Sequence, residues 1–267
     1  MTQPVYEVVG DANWNSWSKI ARLIKHMTWR SLASRYRGSA LGFLWTLVNP
    51  IMLMFVYTFV FKIIFGQKAA GVPYQVYLMT GILAWNFFST AAIQASVSLV
   101  SGAALVNKST FPRIVLPVSA VLANAVNYLV ALPLLLAFIF LSGVRPTGAI
   151  FLLPFAFLLL TVIAIGLGAL LASLMPFFQD LQHLIEVFFT MWLFLTPIVY
   201  DISLIPDEWR TLYALNPMVG IIEFVHTVFL GQTLHPKSLA ISVVGSLGIL
   251  LIGLWVFRRL APHCTEV

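Results

Sequence analysis

Apolar residues in this chain come in long runs separated by short polar breaks. Residues 39–61, 69–107, 114–142, 151–175 and 238–257 contain no Asp, Glu, Lys or Arg. A helix needs about 20 mostly apolar residues to cross a bilayer, and each run reaches that length. A sixth stretch, 181–200, carries Glu186 near one end and is otherwise apolar from residue 187 apart from Thr190, Thr196 and Pro197. The pattern predicts an all-α membrane protein with six transmembrane helices, at about 39–65, 75–102, 114–142, 150–175, 182–200 and 238–258.

Two further segments have a different rhythm. Over residues 16–36, a turn of about 100° per residue gathers Ile20, Leu23, Ile24 and Met27 in one arc. Lys19, Arg22, Lys25, His26 and Arg30 fall in the opposite arc. This predicts an N-terminal amphipathic helix lying in the membrane interface, its basic face toward anionic lipid or a partner. It serves either as a topology anchor or as an element gating access from the cytoplasm. Between spans five and six, residues 201–236 are too polar to span and too apolar to be a free loop. They hold Pro206, Pro217 and Pro236 around a helical stretch at 218–230. Apolar stretches of about 10–14 residues are commonly re-entrant or interfacial. A re-entrant helical hairpin is predicted here, as an outer cap or as a gate. The resulting division is 1–38, a cytoplasmic N-terminus with the interface helix; 39–258, the membrane domain; and 259–267, a cytoplasmic tail.

Composition excludes whole classes of protein. Of 267 residues, 60% are hydrophobic and 9% charged, with a mean hydropathy of +0.95. Soluble domains average about 45–50% apolar and about 25% charged. A soluble enzyme, a disordered chain and a disulfide scaffold are all excluded; the one cysteine, Cys264, has no partner within the chain. The net charge of +6 is explained by orientation. Lys19, Arg22, Lys25, Arg30, Arg35, Arg37, Arg258 and Arg259 flank the outermost spans, and Lys108 and Arg113 follow span two. Basic residues favour the cytoplasmic side, so both termini are expected inside, and no nucleic-acid partner is implied. The first long apolar run starts too late to be a cleaved signal and is expected to act as its own insertion signal.

The chemistry that is missing narrows the function. No Gly-Lys pair occurs, so no phosphate-cradling Walker loop exists and ATP hydrolysis by that route is excluded. GxSxG and HExxH are absent as well. His183 and Glu186 sit three apart, which is too little for a metal; local hydrogen bonding is the reading, and no metal or other cofactor bound by this chain is expected. Spans two, three, four and six lack ionisable side chains, which argues against a proton-driven pump. Asn49, Asn86, Gln94, Asn124 and Asn127 suit interhelical hydrogen bonds, and Gly166, Gly168, Ala172, Gly245, Gly248 and Gly253 suit close helix packing. Trp45, Tyr57, Trp85, Phe88, Trp192 and Tyr200 offer flat apolar faces. They read either as lipid-facing or interfacial packing or as a lining on which sugar rings stack. Taken alone, the residues stop at a six-span inner-membrane protein. A secondary transporter or channel stays open although no inverted repeat is visible. A membrane enzyme acting on lipid-linked sugars stays open too, with only His183 and Glu186 to serve it.

Several local strings carry a resemblance. Arg35-Tyr36-Arg37-Gly38-Ser39-Ala40-Leu41-Gly42-Phe43-Leu44-Trp45, followed by Asn49-Pro50, resembles the start of the first span in permeases of polysaccharide-exporting ABC transporters. Phe111-Pro112-Arg113-Ile114-Val115-Leu116-Pro117 is similar to that family's loop after span two. Asp180-Leu181, Pro197-Ile198-Val199-Tyr200, and Asn216-Pro217 with Glu223 and Gly231 resemble its fifth span and outer hairpin. Gln179 stands where the family often has Arg, and His226 where a basic residue is common.

The resemblance implies the membrane half of an exporter, a homodimer working with two copies of a separate cytoplasmic ATPase that binds ATP and Mg. The cargo would be a lipid-linked polysaccharide, O-antigen first, with capsule and teichoic acid behind it. Lys108, Phe111, Pro112 and Arg113 would dock the ATPase. Arg35, Tyr36 and Arg37 would meet the lipid diphosphate, a role that suits arginine's paired donors. Asn216, Pro217 and Glu223 would belong to the outer gate. The location implied is the bacterial inner membrane.

Overall fold

The computed structural model describes residues 17–36, 44–66, 71–103, 105, 111–145, 147–178, 180–261 and 263, with backbone alone at Tyr36, Thr46, Leu47 and Asp207. Every regular element among them is helical. In chain order, the α-helices of eight residues or more are α1 (Trp17–Tyr36), α2 (Trp45–Tyr57), α3 (Tyr74–Ser96), α4 (Val115–Leu141), α5 (Leu153–Leu174), α6 (Leu181–Phe194), α7 (Asp207–Ala214), α8 (Pro217–Leu230) and α9 (Pro236–Leu260). Helix α2 runs on as a wider π-helical stretch, Thr58–Ile64, closed by Phe65 N donating to Val60 O at 3.1 Å.

Four helices are long and apolar enough to cross a membrane: α3, α4, Gly148–Phe177 around α5, and α9. They match the second, third, fourth and sixth predicted spans. A fifth is reached if Glu208–Ala214 and Pro217–Leu230, bent by 91°, count as one broken span. That bent pair occupies the segment predicted as a hairpin. The first predicted span corresponds to α2 with its π-helical continuation, residues 45–64, and residues 39–43 lie outside the described residues. Leu181–Phe194 covers only about 21 Å at 1.5 Å per residue, against a hydrocarbon core of about 30 Å. The predicted fifth span overran because residues 195–200 leave the helix, with Thr196 N bonded to Leu193 O and Ile198 N to Thr196 O. Pro197 has no N–H to continue the ladder.

Helix α3 is the hub, packed against α2, α4, α5, α6 and α8. It is the least apolar of the four long helices and the most enclosed: 78% of its most apolar stretch is buried, against 17% for α9. A helix walled by protein tolerates polar side chains; one facing lipid does not. Helices α5 and α9 cross backbone to backbone. A Cβ on Gly166 would stand 2.6 Å from the Cα of Leu250, and one on Gly253 would collide with the Gly166 carbonyl. Gly168 makes the same allowance for Ala95 of α3, whereas Gly248 faces open space.

The arc predicted on α1 is present. Leu23 and Met27 are buried, with Ile20 and Ile24 packed beside them. What covers them is protein: Leu99, Phe111, Val115, Leu116, Ala169, Ala172, Phe257 and Ala261 complete this second, smaller cluster. Trp17 and Trp29 point outward and are exposed.

Candidate functional site

Three polar or aromatic stations follow one another along α3. The first lies at its C-terminal end, where α1 crosses. Arg35 Nη1 donates to Asn124 Oδ1 at 3.0 Å, and Arg35 Nη2 donates to Gln94 Oε1. Asn124 Nδ2 donates in turn to Gln94 Oε1 (3.0 Å) and to the Ala120 carbonyl (2.9 Å). Gln94 and Asn124 thus make the bond between spans expected of them, and Arg35 joins α1 to both. Beside this network opens a cavity of about 350 Å³ between α1, the end of α3 and the start of α4. Its described lining includes Arg30, Arg35 and Gln94, five serines and no carboxylate. Of the three residues expected to meet a diphosphate, Arg35 lines this cavity; Arg37 and the Tyr36 side chain lie outside the described residues.

The loop after α3 sits close by. Lys108 lies outside the described residues. Phe111 is buried in the small cluster with α1, and Pro112 and Arg113 are half-buried. Arg113 Nη1 donates to the carbonyl of Ala261, just past α9. Phe111 and Arg113 therefore pack together with α1 and the end of α9.

The second station is aromatic. Trp85 and Phe88 of α3 meet Phe189 and Trp192 of α6, with ring centroids 5.4–6.2 Å apart, mostly edge to face. Trp85 and Phe88 are 5% and 0% exposed, so within one chain they brace α6 and leave Trp192 as the ring at the margin. Tyr57 of α2 reaches α6 through Phe194, edge on at 6.4 Å. Trp45 is exposed on α2.

The third station is the hairpin. Asn216 caps α8: its Oδ1 accepts from Met218 N at 3.0 Å, Pro217 follows at the first turn, and Gly231, at φ +68°, closes the helix with its N–H on Thr227 O. A short helix stopped at both ends by such residues needs little help from its length. The same Asn216 Oδ1 accepts from Trp192 Nε1 at 2.9 Å, and its Nδ2 donates to Leu195 O at 2.8 Å. Path and gate candidates, read separately in the sequence, are here one network. Tyr200 OH donates to Phe194 O (2.7 Å) and so accepts from Tyr213 OH (2.7 Å), since a phenol has one proton to give. Below this, Tyr77 OH reaches the carbonyls of Pro197 (3.1 Å) and Tyr200 (2.9 Å), and its ring lies 4.0 Å from that of His226. Glu223 is buried and pairs through Oε1 with His235 Nδ1 at 2.9 Å.

Sequence reading missed Tyr77, Phe189, Tyr213 and His235. Tyr77 and Phe189 look like ordinary span residues until their partners are placed. Tyr213 lies three residues before the Asn216-Pro217 string. His183 and Glu186 stay on one exposed face, where Gln182 Nε2 donates to Glu186 Oε1 at 3.2 Å. Among the described residues no group of three His, Cys, Asp or Glu is placed to hold a metal.

The sequence that builds these stations has counterparts among known proteins. The family model described as ABC-2 type transporter matches residues 22–230. The chain belongs to this family. Similar proteins include the O-antigen export system permease protein RfbA of Myxococcus xanthus, 33% identical over 86% of this chain and 88% of the relative. The protein of the same name in Klebsiella pneumoniae is 26% identical over 92% of this chain and 94% of its own length. The polysialic acid transport protein KpsM of Escherichia coli is 22% identical over 86% and 90%. The part matched to the ABC-2 family runs from α1 through α8 and so contains all three stations apart from Gly231 and His235; α9 also lies beyond it.

Proposed function

We propose that this chain is the permease half of an ATP-driven exporter that moves lipid-linked polysaccharide outward across the bacterial inner membrane. The observation that carries the reading is the near full-length similarity to permeases named for O-antigen and polysialic acid transport. O-antigen is the first choice of cargo, because the relatives so named align at the higher identities; capsule is second. Both termini face the cytoplasm, α2 and α6 complete six membrane segments, and the bent α7–α8 pair is the re-entrant outer gate. Two copies of the chain work with two copies of a cytoplasmic ATPase, docked around Lys108, Phe111, Pro112 and Arg113. ATP and Mg belong to that partner.

The division of chemistry along α3 supports this reading. Arg30 and Arg35 supply paired donors for a phosphate group. The aromatic station supplies neutral faces on which a sugar polymer slides through many weak contacts. The test is glycan location in a strain lacking the chain. Complete polymer trapped inside, and released when the wild-type chain is restored, is the expected result. Restoring an Arg30→Ala, Arg35→Ala double variant should leave most polymer inside. Polymer reaching the surface without the chain, or never completed, overturns the proposal.

A further inference from the structure

We propose that Gln94 is the specificity donor of the arginine cleft, the group that lets it prefer a diphosphate to a monophosphate. This rests on the reading of that cleft as a site for the lipid's phosphate group. The argument begins with the direction of the amides. A guanidinium only donates, so the oxygens of Gln94 and Asn124, both bonded to Arg35, must face it. Both amide nitrogens are therefore turned away. Asn124 spends its nitrogen on Gln94 Oε1 and the Ala120 carbonyl. The nitrogen of Gln94 is bonded to nothing among the described residues, and Gln94 lines the cavity. Arg35 and Asn124 thus hold a two-proton donor in fixed orientation on the α3 wall.

Arg30 comes from the α1 wall, whereas the Arg35 fork already lies against Gln94 and Asn124. A single phosphate engages Arg30 on its own side. A cavity of about 350 Å³ has room for a second phosphoryl group, and that group meets the α3 wall, where Gln94 offers the donor. Discrimination by a placed donor is stronger than discrimination by size, because the shorter ligand leaves a polar group unpaired.

The experiment uses the full chain in lipid nanodiscs, with inorganic pyrophosphate and inorganic phosphate as probes in parallel titrations. Gln94→Glu keeps the oxygen that pairs with Arg35 but removes the donor and adds a negative charge. Gln94→Met keeps the bulk and removes both. The expected result is a loss of pyrophosphate affinity of about tenfold in Q94M and more in Q94E. Phosphate affinity should change by less than twofold in Q94M, so the preference collapses. A purely structural role would lower both affinities together, and that outcome overturns the inference. Wild-type preference retained in Q94E, the variant with the stronger Arg35 pairing, overturns it too, whatever the folding of Q94M. The parent reading fails separately: if Arg30→Ala and Arg35→Ala bind pyrophosphate as wild type does, the cleft is not a phosphate site at all.

Discussion

At the α1 end of the bundle, side chains are held by charged hydrogen bonds around a cationic cleft; toward the hairpin end ring edges brace α6, and Asn216 and tyrosine hydroxyls supply neutral hydrogen bonds. From Tyr77 to Gln94 the two ends are about 25 Å apart along α3, at 1.5 Å per residue. Arg35 reaches two spans through two amides, and its grip is directional. Trp192 is held by Trp85, Phe88, Phe188 and Phe189 through ring contacts and by Asn216 through one hydrogen bond, so most of its grip is non-directional. The asymmetry fits the proposed export of a lipid-linked polymer, in which a charged lipid end is captured once and a neutral polymer passes many times. Directional bonds suit the first task and weak stacking suits the second.

The largest effect that breaks this comparison is loss of the aromatic brace. Phe88→Ala should cost about 3–5 kcal/mol of stability, as large core truncations do, because Phe88 is wholly buried between α3 and α6. Thermal unfolding of the purified chain reads this directly. Trp45→Ala, at an exposed position, should leave the midpoint unchanged. If the two variants unfold alike, the brace does not exist.

Next in size is Arg35→Ala. Hydrogen bonds to a charged group contribute about 1.5–3 kcal/mol, and here they fasten α1 to α3 and α4. Limited proteolysis should cut within residues 17–36 faster in the variant, with Arg35→Lys in between, since an ammonium lacks the planar fork. Equal protection of α1 in the alanine variant and wild type rules out the latch. A third, smaller effect belongs to the hairpin. Asn216→Ala removes a helix cap, worth about 1 kcal/mol, and strands Trp192 Nε1. Asn216→Asp keeps both acceptor roles and loses the Nδ2 bonds to Leu195 O and Thr196 Oγ1. Unfolding should therefore rank wild type, Asp, Ala; an aspartate variant as weak as alanine would show that the Nδ2 contacts, not the cap, matter.

Much of this arrangement was legible in the sequence, and the boundary is physical. Four long spans, the α1 arc at Ile20, Leu23, Ile24 and Met27, and the helix after Asn216-Pro217 follow from local rules of periodicity and capping. The partner of Arg35 does not, because Gln94 and Asn124 lie 59 and 89 residues away and nothing local marks them among other span amides. Nor did the sequence separate Trp85 and Phe88, which are enclosed, from Trp45, which is exposed. In a membrane a face toward lipid and a face toward protein are equally apolar, so hydropathy is blind to the difference. The short α6 was hidden for the same reason: the residues after Phe194 stay apolar while the backbone leaves the helix.

The smallest effect sharpens the comparison most. Tyr200 is half-buried, and its hydroxyl passes a hydrogen-bond chain from Tyr213 to the Phe194 carbonyl. Tyr200→Phe keeps the ring and deletes the hydroxyl. A typical net hydrogen bond is worth about 0.5–1.5 kcal/mol, and partial exposure places this loss at the lower end. Tyr213→Phe removes only the bond to Tyr200, so the double variant should be scarcely less stable than Tyr200→Phe alone. Export should fall no more than stability does, because a sliding surface uses the ring and not the hydroxyl. A Tyr200→Phe chain that folds as wild type but exports several-fold more slowly would put that hydroxyl on the sugar. The hairpin end would then be directional too, and the contrast between the two ends would disappear.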